Sequence, residues 1–92
     1  MMLNRRLREL PMTPLSQDAA RAEVARLEAL AERAYDEMYE TRSPAGSFSD
    51  LKDLFAEAIG VARRAGLTAD AERLIKRLEH CRKVYRSQFS SF

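Results

Sequence analysis

Apolar residues recur every three or four positions through most of the chain, the spacing of helices with one buried face and not of strands. Leu51, Leu54, Phe55, Ala58, Ile59, Ala62 and Ala65 fall on one side of such a helix, with Lys52, Asp53, Glu57, Arg63 and Arg64 on the other. The pattern predicts a helix over 48–65. Ser47 and Asp50 read as its capping box, the hydroxyl serving the Asp50 N–H while the carboxylate reaches back. At its end, Arg63 and Arg64 suit the negative pole of the helix dipole, and Gly66 accepts the left-handed C′ conformation that a Cβ resists. Leu67 sits where a Schellman motif places its apolar contact, and Thr68 reads as the N-cap of the next helix. That helix, over 69–89, carries Ala71, Leu74, Ile75, Leu78, Cys81, Tyr85 and Phe89 as a matching stripe. Two apolar stripes joined by so short a turn predict a tight antiparallel hairpin.

Upstream, Ala20, Val24, Leu27, Ala31, Ala34 and Met38 alternate steps of four and three, a heptad seam widened by Leu30 and Tyr35. Thr13-Pro14 or Ser16 opens this first helix, which is expected to span 14–41 and so to run about 42 Å, longer than either hairpin helix. Pro44 and Gly46 mark the 41–46 stretch as the loop into the hairpin. The expected architecture is all-α: a three-helix up-down-up bundle with a long first helix and a tight C-terminal helical hairpin, in one domain covering 1–92. Residues 1–12 place Leu3, Leu7 and Leu10 among Arg5, Arg6 and Arg8, a pattern for a short basic helix or a frayed terminus ended by Pro11. Ala22, Ala25 and Ala29 lie opposite the seam, as good helix formers or as a small-residue contact for a second copy.

At 46% apolar and 33% charged, the composition is that of an ordinary globular domain and not of a disordered one. Alanine is the commonest apolar residue, so the core is thinner than that percentage suggests, and close packing or oligomerisation would help it. No apolar run approaches the roughly 20 residues that span a bilayer, and no signal-peptide core follows the early arginines. The expected location is the cytoplasm. The single cysteine, Cys81, lies on the apolar stripe and reads as a buried, inert thiol in a reducing compartment.

Catalytic constellations are not found. His80 is the one histidine, and as a helical neighbour of Cys81 it points about 100° away, too far round for a nucleophile–base pair. His80 and Lys83 resemble the His-x-x-Lys of histidine phosphotransfer domains, but Val84 and Tyr85 follow where those domains have glycine. A tetratricopeptide repeat is excluded by the lack of a second copy at that period. Glu32, Asp36 and Glu40 recur every four residues without the Glu-x-x-His pairs of di-metal bundles, and the glycines at 46, 60 and 66 make no phosphate loop. No enzyme activity, metal or cofactor is expected.

The expected function is protein–protein interaction, by self-association as a homodimer or as a regulatory or adaptor module for a protein partner. The alternative is nucleic-acid binding through the third helix, with Arg73, Lys76, Arg77, Lys83 and Arg86 as its contacts. Against that stand a net charge of only +2 and cations spread around the helix. Glu32, Asp36, Glu37 and Glu40 form an acidic docking or pairing face near the end of the first helix, where the dipole disfavours anions. In an up-down-up bundle the first and third helices run parallel, so Arg82 or Arg86 is expected to pair with Asp36, Glu37 or Glu40, within the chain or across a dimer.

Overall fold

The computed structural model describes residues 16–89 and contains three α-helices and no strand among them: α1 (Gln17–Glu37), α2 (Pro44–Arg64) and α3 (Thr68–Val84), the last continued by a π-helical turn over Tyr85–Phe89. The expectations for residues 1–12, and for Thr13-Pro14 as a helix start, lie outside the described residues.

Ser16 opens α1 as the sequence suggests: its Oγ accepts the Ala19 N–H at 3.1 Å, satisfying one of the donors the first turn leaves free. The helix stops at Glu37, short of the expected 41. The Met38 N–H is shared between the Ala34 and Tyr35 carbonyls at 3.2 Å each, and Tyr39 and Glu40 then bond three residues back. Thr41 closes one last four-residue-back bond, to the Glu37 carbonyl at 3.0 Å, but Asp36, Glu37 and Glu40 crowd this end and the last turn holds no cation, so the helix goes no further.

α2 begins four residues before its expected start. Pro44 does not delay the helix but occupies its first turn, where a missing N–H costs nothing and φ is already helical. Ser47 therefore lies inside the helix, and the capping box with Asp50 does not form. With 21 residues in each, α1 and α2 are equally long, so the first helix is not the longer one.

The α2–α3 turn follows the sequence closely. Gly66 has φ +76°, the Leu67 N–H donates to the Ala62 carbonyl at 2.8 Å and the Gly66 N–H to Arg63 at 3.1 Å, the paired bonds of a Schellman motif. Leu67 is buried, closing the motif with its apolar contact. Its carbonyl already accepts the first α3 bond, from Ala71 at 3.0 Å, so Leu67 takes the cap position and Thr68 is the first helical residue.

α2 is the central helix and packs along both α1 and α3. Phe55, Leu51, Leu27, Met38, Leu74 and Cys81 are fully buried between them, and the alanines Ala20, Ala31, Ala58 and Ala62 let the backbones approach. The Gln17 side chain donates to the Ala65 carbonyl at 3.1 Å, tying the start of α1 to the end of α2. α1 and α3 are joined by two arginine bridges, Arg73 to Glu28 and Arg77 to Glu32. Each partner advances by four residues from one bridge to the next. A constant offset is the register of parallel neighbours, as an up-down-up order requires.

Candidate protein-docking surfaces

The arginines of α3 divide into two sets. Arg77 holds Glu32 through Nε and Nη2, both at 2.7 Å, and its guanidinium lies 4.8 Å from the Tyr35 ring centroid. Arg73 bridges Glu28 and also reaches Asp70. These bonds to carboxylates hold both guanidiniums above the ordinary arginine range. Two of the five cations expected to face nucleic acid are thus committed to α1. Lys76, Lys83 and Arg86 are exposed and make no ion pair among the described residues.

Glu32, on the acidic face, pairs with α3. Asp36, Glu37 and Glu40 do not: within the chain no arginine or lysine of α3 reaches them, and the expected intrachain bridge from Arg82 or Arg86 is absent among the described residues. The register explains this, because the α1–α3 bridges form one to two turns earlier, at Glu28 and Glu32, and Arg82 and Arg86 turn toward α2. The signal for the real bridges was present in the sequence. Glu28 and Glu32 repeat at i,i+4 on α1, and Arg73 and Arg77 repeat at i,i+4 on α3.

On the α2 side, Arg82 and Arg86 border an aromatic pair. Phe48 and Tyr85 stack at 4.1 Å between centroids with ring planes 4° apart, and the Lys52 ammonium lies 5.3 Å from the Phe48 centroid. Together these residues line a shallow basic edge. The π-turn carries the aromatic contacts across the end of the bundle: Phe89 meets Tyr39 edge-on at 5.1 Å and Tyr85 at 6.2 Å, and Tyr39 meets Tyr35 at 5.7 Å. The Tyr35 and Tyr39 hydroxyls are 3.3 Å apart, and that hydrogen bond together with burial pushes Tyr35 up to about 12. The stripe of Tyr85 and Phe89 was legible in the sequence. Of its partners, Phe48 continues the core-facing repeat of α2, three residues before Leu51 and seven before Phe55, and packs at the core's margin, whereas Tyr39 lies beyond the α1 seam and carried no such signal.

A second groove, of opposite charge, runs between α1 and α2. Leu30, Ala34 and Leu54 form its floor, with Glu37, Asp50 and Asp53 along the rim and Arg33 at one side. Leu30 is 38% exposed, one of two large apolar residues the described surface leaves open, the other being Tyr39. Glu37, Asp50 and Asp53 are exposed and have no ion-pair partner among the described residues. Sequence reading placed Leu30 on the edge of the seam but did not bring Asp50 and Asp53 to it, because that requires the α1–α2 register. Ala22, Ala25 and Ala29 are exposed on α1 and line neither surface.

His80 is exposed and Cys81 fully buried, so the two do not meet. Burial raises the thiol's pKa, which keeps Cys81 protonated. Among the described residues no three metal-ligating side chains converge, and no helix is long and apolar enough to cross a membrane. Compared with protein-family models, with curated proteins and with solved structures, the chain matches none.

Proposed function

We propose that this protein is a non-catalytic helical module that works by protein–protein interaction, docking a partner in the α1–α2 groove. The observation that carries the reading is Leu30: a leucine left partly open on a packed helix, over Ala34 and Leu54, inside a rim whose three carboxylates form no ion pair among the described residues and outnumber the one cation there, Arg33. An apolar floor excludes water and supplies affinity, while the charged rim selects partners and orients them. The single cysteine, unpaired and buried, fits a reducing compartment such as the cytoplasm.

Leu30→Asp tests the reading; because Leu30 is 38% exposed and so still partly packed, circular dichroism must first show that the variant keeps the helical fold. Wild type and variant, immobilised in parallel, are exposed to extract of the source cells. Proteins retained by wild type and lost from Leu30→Asp support the groove, and identical sets from both count against it.

The alternative, nucleic-acid binding, rests on the basic edge, where Lys52, Arg82 and Arg86 surround stacked aromatic rings. It is the weaker reading, because Arg73 and Arg77 are held by glutamates. Binding to a generic duplex at two salt concentrations separates the two, as phosphate contacts weaken steeply with salt.

A further inference from the structure

The two surfaces flank the same half of α2. At about 100° per residue, Phe48 and Lys52 project from one side of that helix, and Asp50, Asp53 and Leu54 from the opposite side. Each surface has an apolar centre and a charged margin, and the margins are opposite in sign. The groove has Leu30 and Leu54 inside Glu37, Asp50 and Asp53, with Arg33 its one cation, so its margin is acidic on balance; the edge has Phe48 and Tyr85 inside Lys52, Arg82 and Arg86. Arg82 and Arg86 find no carboxylate within their own chain among the described residues, and neither do the groove's acids find a cation.

We propose that the occupant of the α1–α2 groove is a second copy of this chain, which presents its basic aromatic edge to the acidic rim. This rests on the reading of the groove as a protein-docking surface and names what fills it. Arginine and aromatic rings are the side chains that protein interfaces favour, and the guanidiniums of Arg82 and Arg86 can donate bidentate bonds to the carboxylates of the partner's rim while the Phe48–Tyr85 pair covers Leu30 and Leu54. Because groove and edge lie on opposite sides of α2, the contact is head-to-tail. A pair joined this way leaves one groove and one edge open, so association continues past the dimer unless a ring closes.

Charge reversal on the full chain tests this by sedimentation equilibrium. Arg82→Glu/Arg86→Glu makes the edge acidic. Glu37→Lys/Asp53→Lys makes the groove basic, and the lysine at 37 suits the end of α1, which helps that variant fold. Circular dichroism confirms that each is helical; should a reversal fail to fold, the neutral pair Arg82→Gln/Arg86→Gln or Glu37→Gln/Asp53→Gln replaces it. Wild type is expected to associate across the micromolar range and each folded reversal variant to weaken that association roughly tenfold or more, as loss of close charge pairs across an interface does. An equal mixture of the two reversal variants restores it, since acidic edge meets basic groove and basic edge meets acidic groove. A wild type that stays monomeric, a reversal variant that associates like wild type, or a mixture that stays dissociated overturns the proposal. Duplex DNA bound through Arg82 and Arg86 by a monomer also overturns it. The docking reading fails separately, when Leu30→Asp and wild type capture the same proteins.

Discussion

Replacing Arg77 with methionine keeps an unbranched stem of good helix propensity and removes only the guanidinium. What is lost is a two-pronged bond to Glu32, both contacts at 2.7 Å, and the contact with the Tyr35 ring at 4.8 Å. The side chains are 32% and 36% exposed, between a surface pair and a buried one. Exposed pairs contribute ~0–1 kcal/mol, and bidentate geometry with a cation over a ring places this one at the top of that range or above it. A loss of about 1–2 kcal/mol follows, or roughly 4–15 °C in Tm for a domain of this size. Arg21 is the control, because its bond to Asp18 is 3.5 Å long with the side chains 56% and 98% exposed. Arg21→Met should cost no more than a few tenths of a kcal/mol. The assay is urea denaturation followed by circular dichroism, extended to a double-mutant cycle with Glu32→Gln. A coupling energy of about 1 kcal/mol is expected between Arg77 and Glu32. Coupling indistinguishable from zero, or equal losses for Arg77→Met and Arg21→Met, would refute the α1–α3 register.

Gly66→Ala should destabilise by about 1–2 kcal/mol, because an L side chain resists positive φ. The cost is conformational and not steric, as a Cβ there would meet nothing closer than the Gln17 Nε2 at 3.8 Å; an unchanged urea midpoint would contradict the Schellman turn. For Tyr35, tyrosinate absorbance should show a phenol titrating near pH 12, and Tyr39→Phe should lower that value by removing its hydrogen-bond partner. The folded pKa lies above the unfolded value of about 10, so this contribution to stability is complete below pH ~10 and is lost as pH rises through the folded value. A Tyr35 that titrates with the unfolded chain would show that the hydroxyl pair does not form.

Most of the fold was legible in the sequence because it is set by local signals. Ser16, Gly66 and Leu67 take the positions their chemistry predicts, and every apolar residue named for the α1 seam from Ala20 to Met38 is buried except the two that widen it. The misread boundary at Pro44 came from a residue with two meanings: proline ends a helix that precedes it and starts one that follows. The sites were less legible because they depend on register. The placement of Arg82 beside Phe48, and of Leu30 beside Asp50 and Asp53, follows from how far each helix slides along its neighbour, which no single periodicity encodes. The π-turn at Tyr85–Phe89 likewise departs from a pattern that continues unbroken at α-helical spacing.

The central claim is that Leu30 marks a surface that another protein covers. A photo-crosslinking amino acid placed at Leu30 reports that directly, with the same residue at Glu72 of α3, which is exposed and lines neither surface, as the control. Irradiation in the source cells should give a discrete covalent adduct from position 30 and none from position 72, with an adduct of twice the chain mass when the partner is a second copy. Equal, diffuse labelling from both positions, or none from position 30 in cells where the protein is folded, would contradict the account.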